Sequence, residues 1–272
     1  MRLAKRRFIR WIKHLLRSQL LTLLLALLML TIVFHTAYTD SPLMLRRELE
    51  WKNSLLPSSY TNLGAGGVLL HAPSESQLPL LYNGCEVTSL SMLLDYLHIN
   101  ETPLSLAHAI ARDKTPLITS GNGQILSWGD PNLGFVGSIS GRAPGFGVYH
   151  HPIDVLLNHY VSGHAQDLTG DSFANLLAAL RSGRPVIVWT TINFSPDVTW
   201  VTWHSPDGLI KTTMAEHAVL LVGYDKHDIY VNNPLNGAKA QPVPRQIFRK
   251  TWILMGRQAV TVTPFSLPRL LN

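Results

Sequence analysis

Residues 83 to 99 read NGCEVTSLSMLLDYLHI and contain Cys85, the single cysteine of the 272-residue chain. The apolar residues that recur at helical spacing are Val87, Leu90, Leu93, Leu94 and Leu97. Gly84 permits a tight turn directly before the cysteine. The pattern therefore predicts a helix that begins at Cys85 and points its positive end at the sulfur, a setting that favours thiolate and a reactive thiol.

Two residues in the second half of the chain have the chemistry that a cysteine nucleophile needs. His217 opens the apolar strand HAVLLVGY (217–224), and Asn233 precedes Pro234 at the end of the next strand, DIYVNNP (228–234). A histidine can take the thiol proton, and an asparagine can orient its ring, so the three residues form a papain-type set. Taken singly, they equally fit a small buried apolar residue, a core histidine and a turn asparagine.

The surrounding pattern predicts an α+β fold, with helices early and mostly sheet later. Strands are predicted at GVLLHAP (67–73) and PVIVWTTI (185–192), and a helix capped by Asp171 or Ser172 is predicted to end at Gly183. Residues 115–150 are rich in Gly, Pro, Ser and Asn and form a long structured loop region. Its aromatic residues, which fit either a substrate groove or the core of an irregular subdomain, are Trp128, Phe135, Phe146 and Tyr149.

Charge is concentrated at the N-terminus. Residues 1 to 17 carry seven of the 23 Lys and Arg and no acid, which leaves 16 bases against 17 acids in the rest. A body of near-zero charge attracts no phosphate backbone, so nucleic-acid binding is not expected. The charged fraction of 15% and the hydrophobic fraction of 46% exclude wholesale disorder. A single cysteine excludes an internal disulfide framework and a multi-cysteine metal site.

An uncharged apolar stretch follows the basic residues. We interpret residues 1–19 as a basic cytoplasmic leader and 20–38 as a transmembrane helix or the core of a signal peptide, since about 19 residues span a bilayer as a helix. The positive-inside rule then places the C-terminal part outside the cytoplasm. If the leader is cleaved, the protein is secreted. Residues 39–65 are predicted to be a stalk, 66–265 a papain-like domain and 266–272 a tail.

Five blocks of the chain together resemble a known family. They are QLPLLYNGCEVTSLSMLLDYL (77–97), LSWGDPNLGFVG (126–137), GVYHHPIDVLL (147–157), LRSGRPVIVWTT (180–191) and EHAVLLVGYDKHDIYVNNPLNG (216–237). In this order they resemble the bacterial papain-fold cysteine peptidases related to the bacteriocin-exporter domains that cut after double-glycine leaders. The stand-alone extracytoplasmic branch is the more similar one, and the resemblance covers about residues 66 to 262.

The resemblance implies a papain-like α+β fold and hydrolysis through a Cys thioester. It assigns the roles of nucleophile, base and orienting residue to Cys85, His217 and Asn233. At the third position of the set this chain departs from the family. Its close relatives usually have Asp-Pro there, whereas this chain has Asn233-Pro234. An imidazolium at His217 would therefore lack a negatively charged partner. An amide a few residues before the cysteine donates to the oxyanion in the family, and here Gln77 is the candidate, with Asn83 as a second.

We therefore expect an extracytoplasmic thiol hydrolase, most simply a cysteine peptidase acting on a peptide or protein and held at the membrane by its N-terminal helix. The alternatives are an amidase or transpeptidase acting on cell-wall peptides, and a non-catalytic peptide-binding module. Neither a cofactor nor a metal is expected. The histidine group His150, His151, His159 and His164 lacks the spacing of a metal motif.

Overall fold

The computed structural model describes Met29 and residues 60–64 and 66–263. Five α-helices lie in this part of the chain: α1 Cys85–Tyr96, α2 Pro103–Ala109, α3 His150–Tyr160, α4 Phe173–Arg181 and α5 Arg245–Leu254. The strands are β1 Tyr60–Asn62, β2 Val68–Leu70, β3 Arg112–Asp113, β4 Ile118–Thr119, β5 Ile125–Ser127, β6 Phe135–Gly137, β7 Gly145–Gly147, β8 Ala165–Asp167, β9 Val186–Thr191, β10 Trp200–Ser205, β11 Gly208–Thr213, β12 Glu216–Tyr224, β13 Asp228–Asn233, β14 Ala238–Pro244 and β15 Ala259–Val262. This mixture confirms the predicted α+β class.

The main sheet is built around β12. It has eight strands in the order β1-β2-β12-β9-β15-β8, with β13 paired to β12 and β14 paired to β13. Every residue of β9 and β12 is buried, as their continuous apolar sequences predict for strands covered on both faces. His217 lies opposite Thr190 in the antiparallel register of these two strands. The sheet thus carries the predicted base on a fully buried strand.

Helices cover both faces of this sheet. On one face, α1 contributes Leu90, Leu93 and Leu94 to a core that also contains Ala218 and Leu220 of β12. On the other face, residues of α4 and α5 belong to the same core as Val219 and Leu221 of β12. The alternation of β12 side chains between two cores follows from the two-residue period of a strand. The predicted helix at Cys85 is confirmed, and Ser172 caps α4 by accepting from the Asn175 N–H.

Residues 115–150 form short strands around a second, aromatic core. β4 and β5 join the hairpin β10–β11 in a four-stranded sheet, and β3, β6 and β7 form a three-stranded one. Trp128 and Phe146 are buried together with Trp203, and Phe135 is fully buried in the main core. Three of the four aromatic residues of this region are therefore core residues, and Trp128 and Phe135 also border a surface cavity.

The N-terminal predictions fall largely outside the described residues. β1 lies inside the stretch 39–65 predicted as a stalk and pairs with β2, so the sheet begins before residue 66. The predicted transmembrane helix, 20–38, lies outside the described residues apart from Met29. Within residues 60–64 and 66–263, no helix has the length and apolarity needed to cross a bilayer.

Candidate active site

Cys85 is the first residue of α1, as the sequence predicts. The turn before it is closed by a hydrogen bond of 3.0 Å from the Gly84 N–H to the Leu81 carbonyl oxygen. A Cβ on Gly84 would lie 2.6 Å from the Leu81 Cβ, so this close approach requires glycine. The N-cap residue Gly84 provides no side-chain hydrogen bond to the helix, so the first N–H groups of α1 depend on other acceptors.

The sulfur of Cys85 lies against the strand that carries His217. The N–H of Ala218, the residue after His217, donates to Cys85 Sγ at 3.4 Å. One turn along α1, the Ser89 hydroxyl donates to the Ala218 carbonyl oxygen at 3.4 Å. The helix is therefore fixed to both polar groups of one strand residue, and this contact brings the cysteine to the base despite their distance in sequence.

His217 and Asn233 form a direct hydrogen bond of 2.9 Å between Nε2 and Oδ1. The Leu235 N–H also points at Asn233 Oδ1, at 3.1 Å. Since a backbone N–H can only donate, that atom is an oxygen, and the ring must donate its Nε2–H to it. The remaining ring nitrogen, Nδ1, then carries a lone pair. This is the tautomer that a general base needs.

Gln241 of β14 holds the other side of the Asn233 amide. Its Oε1 accepts from Asn233 Nδ2 at 3.0 Å, so both ends of the amide are fixed. Sequence reasoning missed this residue, because β14 contains Pro242 and Pro244 and lacks a clear alternating pattern. The pairing of β13 with β14 brings it to the site.

Gln77 and Asn83 are both placed near the cysteine turn, with different partners. The buried amide of Gln77 donates from Nε2 to the Tyr82 carbonyl oxygen at 2.7 Å, while its Oε1 has no partner. The Gln77 N–H donates to the Pro234 carbonyl oxygen at 2.9 Å, which ties this segment to the end of β13. The amide of Asn83 donates to the Ser138 carbonyl oxygen at 2.7 Å and so joins the turn to the loop after β6.

Burial sets the protonation states of the two reacting groups. It raises the pKa of Cys85 well above its ordinary value, and the nearby charges of Glu86 and Glu216 raise it further. Burial lowers the pKa of His217 to about 4, although the Asn233 hydrogen bond opposes the shift. The structure thus holds a neutral thiol beside a neutral imidazole. The expectation that the helix end keeps Cys85 as a thiolate is not met here, because burial disfavours the charged sulfur.

Two buried carboxyl groups flank the cysteine, and sequence reasoning missed both. The Cys85 thiol donates to Glu86 Oε2 at 3.4 Å. The sulfur and one carboxylate oxygen each of Glu86 and Glu216 all lie within 4.8 Å of one another. A signal was present in the sequence: each glutamate is an acid next to a predicted site residue, inside an otherwise apolar element.

The structure brings some of the predicted site residues into contact with one another, but not all of them. His217 and Asn233 are in direct contact, and Cys85 reaches the neighbouring Ala218. Among the described residues, no hydrogen bond joins Cys85 Sγ to the His217 ring, or Gln77 to either of them. The histidine group of residues 150 to 164 lies away from these residues. His150 Nδ1, for example, lies 2.6 Å from Asp167 Oδ2.

A cysteine at the start of a helix, packed against a strand whose histidine is oriented by an asparagine on the next strand, defines the papain-like class of cysteine peptidase folds. Comparison with known proteins is more specific. Residues 69–260 match the model of the Peptidase_C39 like family, and the chain belongs to this family. The resemblance inferred from the sequence is therefore confirmed.

Two relatives support this assignment. The chain is 42% identical over 189 residues to the uncharacterized protein YvpB of Bacillus subtilis (strain 168), a match that covers 70% of this chain and 72% of that protein. A crystal structure described as a C39-like peptidase from Bacillus anthracis superposes with a TM-score of 0.66 at 36% identity, covering 74% of this chain and 99% of the other. The fold is that of a C39-like peptidase.

Proposed function

We propose that this protein is a cysteine peptidase that cleaves peptide bonds through a thioester on Cys85. The observation that carries the proposal is the fixed tautomer of His217, which leaves Nδ1 as a proton acceptor on the strand against which Cys85 packs. Membership of the Peptidase_C39 like family supports the same chemistry. No cofactor is needed for this reaction, because thiol, base and hydrogen-bond donors suffice.

The proposed reaction has two balanced halves. The Cys85 S–H passes its proton to His217 Nδ1 while the sulfur attacks the peptide carbonyl carbon, and the tetrahedral intermediate collapses as the imidazolium protonates the leaving amine. Water then attacks the thioester, gives a proton to His217, and releases the acid as the sulfur regains that proton. Asn233 is the orienting residue throughout.

The oxyanion of each intermediate needs at least two donors. The N–H of Cys85 and the side chain of Gln77 are the proposed ones. The amide nitrogen of Gln77 uses one hydrogen on the Tyr82 carbonyl, and its second hydrogen is the proposed donor. Asn83 is the weaker candidate, because its amide links the cysteine turn to the loop at Ser138.

The location and substrate are part of the proposal. We place the domain outside the cytoplasm, anchored by residues 20–38 or secreted after their removal, and acting on a peptide or protein, including cell-wall peptides. A reporter fused after Asn272 should be active outside the cytoplasm and stay in the membrane fraction after a high-salt wash. Complete release of the protein into the medium, at a mass lower by about 4 kDa, would mean that the leader is cleaved, since about 37 residues would be lost.

The catalytic proposal is tested on the purified protein at pH 6 with a peptide library and a peptidyl electrophile. Cys85 is the single cysteine, so any labelled thiol is the proposed nucleophile. Cys85→Ser should lower turnover by at least about a thousandfold while the fold is kept, and His217→Asn should slow labelling of the intact thiol. A wild-type protein with no turnover, and with labelling independent of His217, would instead be a peptide-binding module.

A further inference from the structure

The buried carboxyl groups of Glu86 and Glu216 have no role in the reaction described above. Glu86 follows the nucleophile on α1, and Glu216 precedes the base on β12. Both side chains are buried. In the described part of the chain neither forms an ion pair with a cationic side chain, so the charge of this pair is not balanced by Lys, Arg or His.

Gly147 lets the two carboxyl groups approach each other. A Cβ at this position would overlap Glu86 Oε1 and lie 3.1 Å from Glu216 Oε2. One oxygen of each group lies within 4.8 Å of the other and of Cys85 Sγ. Two carboxylates this close in a buried site cannot both be ionised, because each charge opposes the other in a medium that solvates neither.

The orientation of Glu86 is fixed from the opposite side. The Val148 N–H donates to Glu86 Oε1 at 2.6 Å, and the Val148 carbonyl oxygen accepts from the Trp189 indole at 2.9 Å. With Oε1 occupied, Oε2 is the oxygen that accepts the Cys85 S–H. Among the described residues, Glu216 Oε1 is buried without a hydrogen-bond partner, a setting that disfavours a charge on this carboxyl group.

We propose that Glu86 is a positioning residue which holds the S–H of Cys85 away from His217, and that Glu86 and Glu216 together carry a single negative charge at neutral pH, with the proton on Glu216. The nucleophile is then latent while Glu86 is ionised. Protonation of Glu86 removes an acceptor for the S–H and a negative charge next to the sulfur, so the thiolate becomes easier to form. This regulation of Cys85 rests on the proposed function, in which Cys85 is the nucleophile.

The titratable groups around the pair agree with this assignment. Burial raises the pKa of Glu86 to about 7, whereas burial and the charge of Glu86 raise the pKa of Glu216 well above its ordinary value. Tyr149 is a further titratable group near Glu216, and its hydroxyl donates to Thr212 Oγ1. Burial, with a smaller effect of Glu216, acts on its pKa. Its pKa is also raised, so it stays neutral. Glu86 is therefore the group that changes charge near neutral pH, and Glu216 keeps the proton.

The test compares Glu86→Gln with wild type by alkylation of Cys85 with iodoacetamide between pH 5.5 and 8. Because the Val148 N–H needs an acceptor, the amide oxygen of the variant faces Val148 and its NH2 faces the sulfur, where it supports a thiolate. Alkylation should be at least about tenfold faster in the variant at pH 8, which corresponds to one pKa unit of the thiol. The ratio should shrink toward one at pH 5.5, where Glu86 is protonated in wild type as well.

Glu75→Gln is the matched control. Glu75 Oε2 accepts at 3.1 Å from the hydroxyl of Ser91, which lies on α1 as Glu86 does. No hydrogen bond of the described residues joins Glu75 to Cys85 or Glu216. Its removal should leave alkylation unchanged at each pH. A ratio for Glu86→Gln that is constant with pH, or equal to one throughout, would overturn the proposal, and neither outcome bears on whether the protein cleaves peptides.

A second measurement tests the proton on Glu216 without relying on the reactivity of Cys85. The infrared difference spectrum of wild type minus Glu216→Gln at pH 8 should contain the C=O stretching band of a protonated carboxyl group. Absence of that band would overturn the assignment of the proton to Glu216. So would a stoichiometric divalent metal in the purified protein whose removal by a chelator accelerates alkylation, because a metal would then neutralise the pair. Thermal unfolding of each variant verifies that it is folded.

Discussion

Replacing Asn233 with aspartate should change the ionisation of His217 more than any other conservative substitution in the site. Asn233 Oδ1 lies 2.9 Å from His217 Nε2 and also accepts from the Leu235 N–H. An aspartate keeps both contacts through one oxygen. The second carboxylate oxygen of the aspartate lies against Gln241. The Gln241 amide can rotate so that its Nε2–H donates to that oxygen. The hydrogen-bond geometry is therefore kept while a negative charge is added.

The size of the effect follows from the distance. Two unit charges about 4 Å apart interact by about 4 kcal/mol at an effective dielectric constant near 20, which corresponds to about three pKa units. The pKa of His217 should therefore rise from about 4 to about 7. The thiolate–imidazolium pair becomes more populated, so activity should be preserved or increased and the alkaline limb of the pH–rate profile should move upward. Asn233→Ala should instead lower the rate by roughly 10- to 1,000-fold.

The assay is the pH dependence of the free energy of unfolding, together with NMR titration of the His217 ring. In wild type, the unfolded histidine binds a proton below about 6.5 while the folded one does not, so stability is lost as the pH falls. Between pH 6.5 and 5 this loss is roughly 2 kcal/mol. It should disappear in Asn233→Asp, whose folded pKa exceeds the unfolded value. Contributions from Glu86 cancel in the difference between the two proteins.

Asn236→Asp is the charge-matched control, since Asn236 is exposed on the turn after β13. It adds the same charge without contacting His217, so the ring should titrate as in wild type. If His217 in Asn233→Asp still titrates near 4, or if Asn233→Ala leaves turnover and thiol labelling unchanged, the orienting role of Asn233 is refuted and it is only a turn residue before Pro234.

Three further outcomes are expected. Gln77→Ala should lower kcat by about 10²- to 10³-fold with a smaller change in KM, measured by peptide turnover; an equal loss in Asn83→Ala would refute the choice of Gln77. Gly147→Ala should lower the Tm, because the new Cβ overlaps the Glu86 carboxylate and the backbone φ of 145° disfavours a side chain; an unchanged Tm would contradict the packing. The pKa of Glu86 is raised to about 7 from 4.5, so the folded state alone keeps its proton between these values and wild-type stability falls as the pH rises through them. In chemical denaturation, Glu86→Gln should therefore gain roughly 3 kcal/mol relative to wild type between pH 4.5 and 7, and a difference independent of pH would contradict the raised pKa.

Local signals in the amino-acid sequence are sufficient to predict the elements that carry the candidate site. Helical periodicity from Cys85 onward and the apolar runs at β9, β12 and β13 are local signals, and all of them form the expected structures. The types of residue at 85, 217 and 233 indicated the chemistry before any contact was known. These features are readable because periodicity and residue type depend only on neighbours in the chain.

The charge state and the surroundings of the nucleophile depend instead on how distant segments pack together. A helix end alone favours thiolate, yet Cys85 is a thiol here, because burial and the neighbouring glutamates raise its pKa. The approach of Glu86 to Glu216 needs β12, α1 and Gly147 at one point, and the support of Asn233 needs Gln241 from β14. Desolvation and contacts between distant segments depend on the packed fold, and no periodicity in the chain encodes them.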